Sequence, residues 1–178
     1  MDASAAHWEG FWTSTRVVAV PVWAELTVEQ RNQLDQMSGS IGGEMLFGWL
    51  FRWFFVPHEL GHALQTTFCS GEIGHFASER QANDVAVAFW MVENPQPLGE
   101  LEAILSDVIS ALPNPVPDRE NASEFFDSHY DALGSDPLAY GYFQLHFVLD
   151  SLSRRDELAW VDVLRQLCHM SDAGLGGP

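Results

Sequence analysis

Apolar residues recur every three to four positions along most of the chain, which is the period of amphipathic helices. Segments rich in Gly and Pro interrupt this pattern and divide it into separate helices. The pattern predicts helices at about residues 28–37, 44–56, 58–68, 78–93, 98–112, 123–133, 137–153 and 156–169. We therefore expect a mainly α fold that forms a single domain over residues 1–178, with at most a minor β element.

The two ends of the chain show a different pattern. Residues 1–15 predict an irregular arm, and residues 171–178, which are rich in glycine, predict a flexible tail. Residues 16–26 contain several β-branched side chains, which predict one strand. Pro21 would restrict this strand to an edge or an extended segment. Thr27 and Gln30 match a capping box, so a helix is expected to begin directly after Thr27.

The most apolar stretch of the chain is residues 45–56, which read MLFGWLFRWFFV. A membrane-spanning helix needs roughly 20 apolar residues, so this stretch is too short to cross a bilayer and is expected to be a buried core helix. Pro57 follows it. Proline inside a helix removes a hydrogen bond, whereas proline in a first turn is tolerated, so either a kink or a new helix start is expected just before His58.

Charge and cysteine content narrow the possible partners and location. The chain has 25 Asp and Glu against 8 basic residues, all of them Arg, and a net charge of −17. Such a chain is not expected to bind nucleic acid or an anionic membrane surface. Cys69 and Cys168 lie far apart, which predicts neither a disulfide framework nor a sulfur metal site. The N-terminus lacks the pattern of a signal peptide, so a cytoplasmic location is expected.

The segment His58-Glu59-Leu60-Gly61-His62 matches the H-E-x-x-H pattern of zinc peptidases. Histidines four residues apart project from the same helix face and can share a metal ion. The Glu59 carboxylate would then reach a water molecule on the metal and act as the general base. The segment predicts a Zn²⁺ site in an enzyme that hydrolyses a peptide or protein substrate.

A catalytic zinc site needs a third protein ligand and one position open to water. The candidates are Glu72, His75, Glu79 and Asp84. Glu79 is the strongest of these, because it begins a second predicted helix after a loop long enough to fold back along the first. On that second helix, Ala82 would allow close packing, and Asn83 would support the free nitrogen of a histidine ligand.

The sequence HELGHAL, followed by a helix that carries E-x-x-A-N, resembles gluzincins, particularly the compact ImmA/IrrE-like metallopeptidases. The resemblance covers about thirty residues, from His58 to residue 88. It implies a zincin-like helical fold in which His58, His62 and Glu79 hold zinc. It also implies that Glu59 is the catalytic base.

Two questions stay open at the level of sequence. A peptidase needs a hydrogen-bond donor for the developing oxyanion, and the candidates are Tyr142, His146, Tyr140, His129, Tyr130 and His75. The alternative function is a catalytically silent zinc protein with a regulatory or interaction role. Its metal site would be structural and closed by a fourth protein ligand, such as His75 or His146.

Overall fold

Helices form most of the structure, a computed structural model that describes residues 17–69 and 71–167 and the backbone of Phe11–Trp12. The helices are α1 (Val28–Met37), α2 (Gly43–Phe47), α3 (Phe55–Phe68), α4 (His75–Glu93), α5 (Gln96–Ala111), α6 (Ala122–Leu133), α7 (Pro137–Ser153) and α8 (Trp160–Gln166). A π-helix, Gly48–Phe54, joins α2 to α3, and 3₁₀ turns occupy Trp23–Glu25 and Arg155–Glu157. Two short strands, β1 (Phe11–Trp12) and β2 (Val17–Val18), pair antiparallel. The expected mainly α fold with a minor β element is confirmed.

Local capping explains where several helices begin. The predicted capping box is present: Gln30 N–H donates to the Thr27 hydroxyl at 3.2 Å, and Thr27 N–H donates to the Gln30 side chain at 2.9 Å. The start predicted for α4 was wrong, because α4 begins at His75 rather than near Ser78. Its Phe76 N–H donates to the carboxylate of Asp127 on α6 at 2.7 Å, a long-range cap that the local sequence does not reveal.

The expectations for the two ends of the chain needed correction. Of the predicted strand, the structure describes residues 17–26, and only Val17–Val18 among them form a strand. This strand pairs with Phe11–Trp12, which lies in the arm that was expected to be irregular. The other residues of that arm, and the predicted tail at residues 171–178, lie outside the described residues. The helix predicted at residues 156–169 is divided into a 3₁₀ turn and α8, because Leu158 leaves the helical conformation and buries its side chain.

The irregularity expected before His58 is the π-helix. Its last bond runs from Phe55 N–H to the carbonyl of Leu50, five residues back. A proline has no N–H to donate and crowds the carbonyl four residues earlier in an ordinary helix. Pro57 lies in the first turn of α3, and a wider π turn precedes it. Together these two features accommodate the missing N–H of the proline and its crowding of the preceding carbonyl. The chain therefore enters the motif helix without a break or a separate helix start.

The core surrounds α4, which contacts α3, α5, α6, α7 and α8. The middle of α4 is fully buried at Ala82, Val85, Ala86, Val87 and Ala88. The apolar stretch at residues 45–56 contributes Leu46, Phe47 and Phe54 to this core, as expected. None of the described helices is long and apolar enough to cross a membrane.

Cys69, directly after α3, is disulfide-bonded, which contradicts the expectation drawn from cysteine spacing. Its sulfur lies 3.6 Å from the carbonyl oxygen of Leu167, so the end of α3 lies close to the end of α8. Cys168 lies outside the described residues. Because disulfides are rare in reducing compartments, the cysteines do not support the expected cytoplasmic location, which stays a prediction.

Candidate metal centre

The candidate site lies where α3 and α4 pack most closely. A Cβ atom on Gly61 would come within 2.6 Å of the Cα atom of Ala82 and within 3.1 Å of its carbonyl oxygen. These two small residues let the helix backbones approach, as the sequence predicted. The close approach brings the histidine face of α3 against the first turns of α4, which carry Glu79.

Three side chains meet at this contact. The Nε2 atoms of His58 and His62 are 3.1 Å apart. The Oε2 atom of Glu79 lies 3.5 Å from His58 Nε2 and 3.7 Å from His62 Nε2. His58 and Glu79 are buried, and His62 is half-buried. The ligand atoms thus form a small triangle, and this group could hold a metal ion.

The size of the triangle suits a tetrahedral ion. Zinc bonds to nitrogen and carboxylate oxygen are about 2.0–2.2 Å long, so two ligands at a tetrahedral angle are about 3.3–3.6 Å apart. The three observed separations of 3.1, 3.5 and 3.7 Å lie close to this spacing. The donor set of two imidazoles and one carboxylate is also one that binds zinc in proteins.

The orientation of His58 is determined by Asn83 on α4. The Asn83 side-chain NH₂ donates to the carbonyl oxygen of Glu79 at 2.9 Å, so its amide oxygen faces the imidazole. That oxygen lies 3.2 Å from His58 Nδ1, which must therefore carry a proton and donate it. The lone pair of Nε2 is left for a metal ion. This is the supporting role that the sequence predicted for Asn83.

His62 has an equivalent arrangement that sequence reasoning missed. The Gln65 side-chain NH₂ donates to the carbonyl oxygen of Ser78 at 2.9 Å, and its oxygen lies 3.0 Å from His62 Nδ1. The hydroxyl of Ser78 also donates to that oxygen, at 2.9 Å. His62 Nδ1 is therefore a donor and Nε2 faces the cluster. The only signal in the sequence was the position of Gln65 one helical turn after His62.

The electrostatics of the cluster favour one positive charge among the three side chains. Burial and the positive charge of His62 lower the pKa of His58 to about 4. Burial alone would lower the pKa of His62 and raise that of Glu79, but their mutual attraction outweighs it, so the pKa of His62 is raised and that of Glu79 is lowered. The buried Glu79 carboxylate thus favours a positive charge beside it, which the His62 imidazolium or a metal cation could provide.

Glu59 lies beside the cluster rather than in it, because adjacent residues of a helix point about 100° apart. It is only 5% exposed, and its charge is near enough to raise the pKa of His62. Glu59 and the three cluster residues line one cavity of about 440 Å³. A carboxylate thus faces the same space as the candidate metal position without occupying a ligand position.

The other three candidate ligands lie outside the cluster. Glu72 is exposed in the loop between α3 and α4. Asp84 accepts hydrogen bonds from Arg154 at 2.8 Å and from Ser151 at 2.6 Å. Ser151 lies in the last turn of α7, and Arg154 is the residue that follows this helix. His75 lines the cavity, but its ring stacks on Tyr130 at 3.8 Å and does not join the three cluster residues.

The structure separates the candidate oxyanion donors into two groups. Tyr130, Tyr140 and His75 line the cavity that contains the cluster. Tyr142 and His146 line a different surface concavity, and the His146 ring is bonded to the backbone carbonyl of Tyr142 at 2.8 Å. His129 is exposed and stacks on Phe125. The expectations for Tyr142, His146 and His129 are not supported, because α6 and α7 turn these side chains away from the cluster.

Comparisons of the chain with protein-family models, with curated proteins and with solved structures found no match. A functional proposal for this chain therefore depends on the geometry of its own residues. The described part of the chain provides a largely buried His-His-Glu group, a neighbouring carboxylate and a cavity that both line.

Proposed function

We propose that the protein is a zinc-dependent metallopeptidase of gluzincin type, with the HELGHAL segment and Glu79 used as in the ImmA/IrrE-like enzymes that it resembles. The observation that carries the proposal is the triangle of His58, His62 and Glu79 at the wall of a cavity that also contains Glu59. A structural ion needs no cavity, whereas a catalytic ion needs access to water and substrate.

Each residue has a distinct role in the proposed reaction. His58, His62 and Glu79 would hold the ion, and a bound zinc ion would supply Lewis acidity. Glu59 would act as the general base that accepts a proton from the attacking water and as the general acid that delivers it to the leaving amine. Asn83 and Gln65 keep both imidazoles turned so that their Nε2 atoms face Glu79.

Tyr130 is the proposed donor to the oxyanion. Burial and the charges of Glu79 and Glu59 raise the pKa of Tyr130, so its hydroxyl stays protonated at neutral pH. Tyr130 lines the same cavity as both carboxylates. Tyr140, which is more deeply buried, interacts with the Tyr130 hydroxyl. The stacked ring of His75 supports the other side of Tyr130, at 3.8 Å.

The alternative, a silent zinc protein with a closed structural site, needs a fourth protein ligand. Among the described residues, no fourth His, Cys, Asp or Glu joins the group. His146, one of the two residues considered for that position, lines the other concavity. A group of three protein ligands supports the catalytic proposal over the structural one, because catalytic zinc sites have three protein ligands whereas structural sites have four.

The decisive variant is Glu59→Gln. We expect it to bind zinc as the natural protein does, but to lose about 10²–10⁴-fold in peptide hydrolysis, because it removes only the proton acceptor. Zinc content measured by atomic absorption and cleavage of a mixed peptide pool measured by mass spectrometry are the readouts. Glu72→Gln makes the same change on the exposed loop and should leave zinc content and peptide cleavage unchanged. His58→Ala should lose zinc.

The same assays test the oxyanion donor and the proposal as a whole. Tyr130→Phe should retain zinc and lose hydrolysis, and Tyr142→Phe, on the other concavity, should behave like the natural protein. Full hydrolysis by Glu59→Gln would disprove its role as the base. A purified protein that binds no zinc, or that binds zinc and cleaves nothing in the pool, would disprove the metallopeptidase proposal.

A further inference from the structure

A few buried side-chain atoms in the described part of the chain have no hydrogen-bond partner, and one of them belongs to the wall of the cluster cavity. These atoms are Arg31 Nε, Gln33 Oε1, Trp90 Nε1 and Gln144 Nε2. Of the four residues, only Gln144 lines the cavity that contains the cluster. An unpaired donor that is shielded from water costs free energy, so its presence in a native fold calls for an explanation.

Gln144 lies on α7, and this helix packs on both sides of the third candidate ligand. The Phe147 ring of α7 lies 4.8 Å from the ring of Phe76, three residues before Glu79. Arg80, the residue after Glu79, donates a hydrogen bond to α7 at 3.0 Å. Glu79 and Gln144 both line the cluster cavity. The packing of α7 on α4 thus places the unpaired amide and the buried carboxylate in one wall.

The NH₂ group of Gln144, and not its oxygen, is directed at this carboxylate. Burial would raise the pKa of Glu79, but the two cluster histidines and the Gln144 amide lower it. A donor stabilises a charged carboxylate, whereas an acceptor would destabilise it. The Tyr140 hydroxyl, one turn earlier on α7, is the second nearby acceptor, since Gln144 also opposes the rise in pKa that burial causes at Tyr140.

Each cluster histidine already has a side-chain amide that orients it. We propose that Gln144 is the third amide of this set, a positioning residue that donates to the carboxylate of Glu79 and holds it for the metal ion. The Glu79 oxygen near both imidazoles is Oε2, which leaves Oε1 for the amide. This inference rests on the metal site of the proposed function. It explains why a buried donor is kept where an apolar side chain would pack without loss.

Gln144→Met tests the inference, because methionine is close to glutamine in length and has no donor. The zinc affinity, measured by competition with a chelator, should fall about 10–100-fold. The free energy of unfolding of the metal-free protein, measured in urea, should not fall, because the lost donor has no hydrogen-bond partner there. A purely structural role would give the opposite result, with lower stability and unchanged zinc affinity.

Gln96→Met is the matched control, because Gln96 is exposed at the start of α5 and does not line the cavity. It should change neither zinc affinity nor stability. Gln144→Leu removes the same donor with a differently shaped side chain, and it should bind zinc as weakly as Gln144→Met. In a Glu79→Gln background, Gln144→Met should cause no further loss of zinc affinity, because its effect passes through the carboxylate.

Unchanged zinc affinity of Gln144→Met, a full further loss in the Glu79→Gln background, or a less stable metal-free variant would overturn the role of Gln144. If the natural protein binds zinc and cleaves peptides, any of these results leaves the proposed function intact. A natural protein that shows the expected Gln144 effects and cleaves nothing would disprove the peptidase function alone. A natural protein that binds no zinc would disprove both.

Discussion

At the scale of single residues, two side-chain amides determine which nitrogen each histidine offers. Asn83 and Gln65 both direct their NH₂ groups to backbone carbonyls of α4, which leaves their oxygens to accept from the Nδ1 atoms of His58 and His62. Since a carbonyl cannot donate, the amides cannot turn without losing these bonds. The rings are therefore held with both Nε2 atoms towards Glu79, in a group that could hold a metal ion.

Asn83→Ala should weaken zinc binding by about 10–100-fold, because the His58 ring loses the acceptor that orients it. Asn94→Ala is the matched control, since Asn94 is exposed at the end of the same helix and contacts neither histidine. Competition with a zinc chelator measures the affinities, and circular dichroism of the metal-free proteins checks that both variants fold. Equal zinc affinity in the two variants would contradict the role of Asn83.

At the scale of elements, the site depends on the distance between α3 and α4. Gly61 faces the backbone of Ala82, not the movable end of a side chain, so an added methyl group can be accommodated only if the helices separate. The three ligand atoms are contributed by both helices. Any separation of α3 from α4 therefore enlarges the triangle as well as weakening the core.

Gly61→Ala should lower the free energy of unfolding by about 1–3 kcal/mol, because overpacking outweighs the better helix propensity of alanine. Gly99→Ala makes the same change in α5, where an added Cβ meets nothing within 4 Å, and it should stabilise the protein by about 0.4–1 kcal/mol. Urea denaturation of the metal-free variants measures both. The close contact would be disproved if the two changes had the same sign.

At the scale of the whole molecule, a very acidic chain uses its few arginines to join helices. Arg154 donates to Asp84 of α4 and to Asp150 of α7, both at 2.8 Å, and Arg80 of α4 donates to Asp150 at 3.0 Å. Burial alone would raise the pKa of Asp150, but the two arginines lower it below its ordinary value. The ion pairs of Asp150 therefore stabilise the fold at neutral pH, and this stabilisation is lost as the pH falls through the lowered pKa of Asp150.

Arg154→Met should destabilise the protein by about 1–2 kcal/mol at neutral pH, because Asp84 and Asp150 lose their shared partner. The difference from the natural protein should shrink as the pH falls through the depressed pKa of Asp150. Arg165→Met removes the same charge from a side chain that is 74% exposed, and it should change stability by less than about 0.5 kcal/mol. Thermal unfolding at several pH values measures both, and equal effects would contradict the structural role of Arg154.

Much of the helical framework could be predicted because its causes are local. The capping box before α1, the C-terminal end of α3, both ends of α7, and the irregularity before His58 all arise from residues within about one turn of each other. The start of α4 could not be predicted in this way. Its cap comes from Asp127, which is 51 residues away in the sequence.

For the candidate site, the sequence alone determined the spacing of His58 and His62 on one helix face and the position of Glu59 beside them. Tertiary structure decided that Glu79, and not Glu72, His75 or Asp84, meets the two histidines, and that Tyr130 and Tyr140 rather than Tyr142 face the cavity. The physical reason is that helical periodicity relates only residues within a few turns. Which face of α4 meets α3, and which faces of α6 and α7 close the cavity, depends on the packing of the whole core.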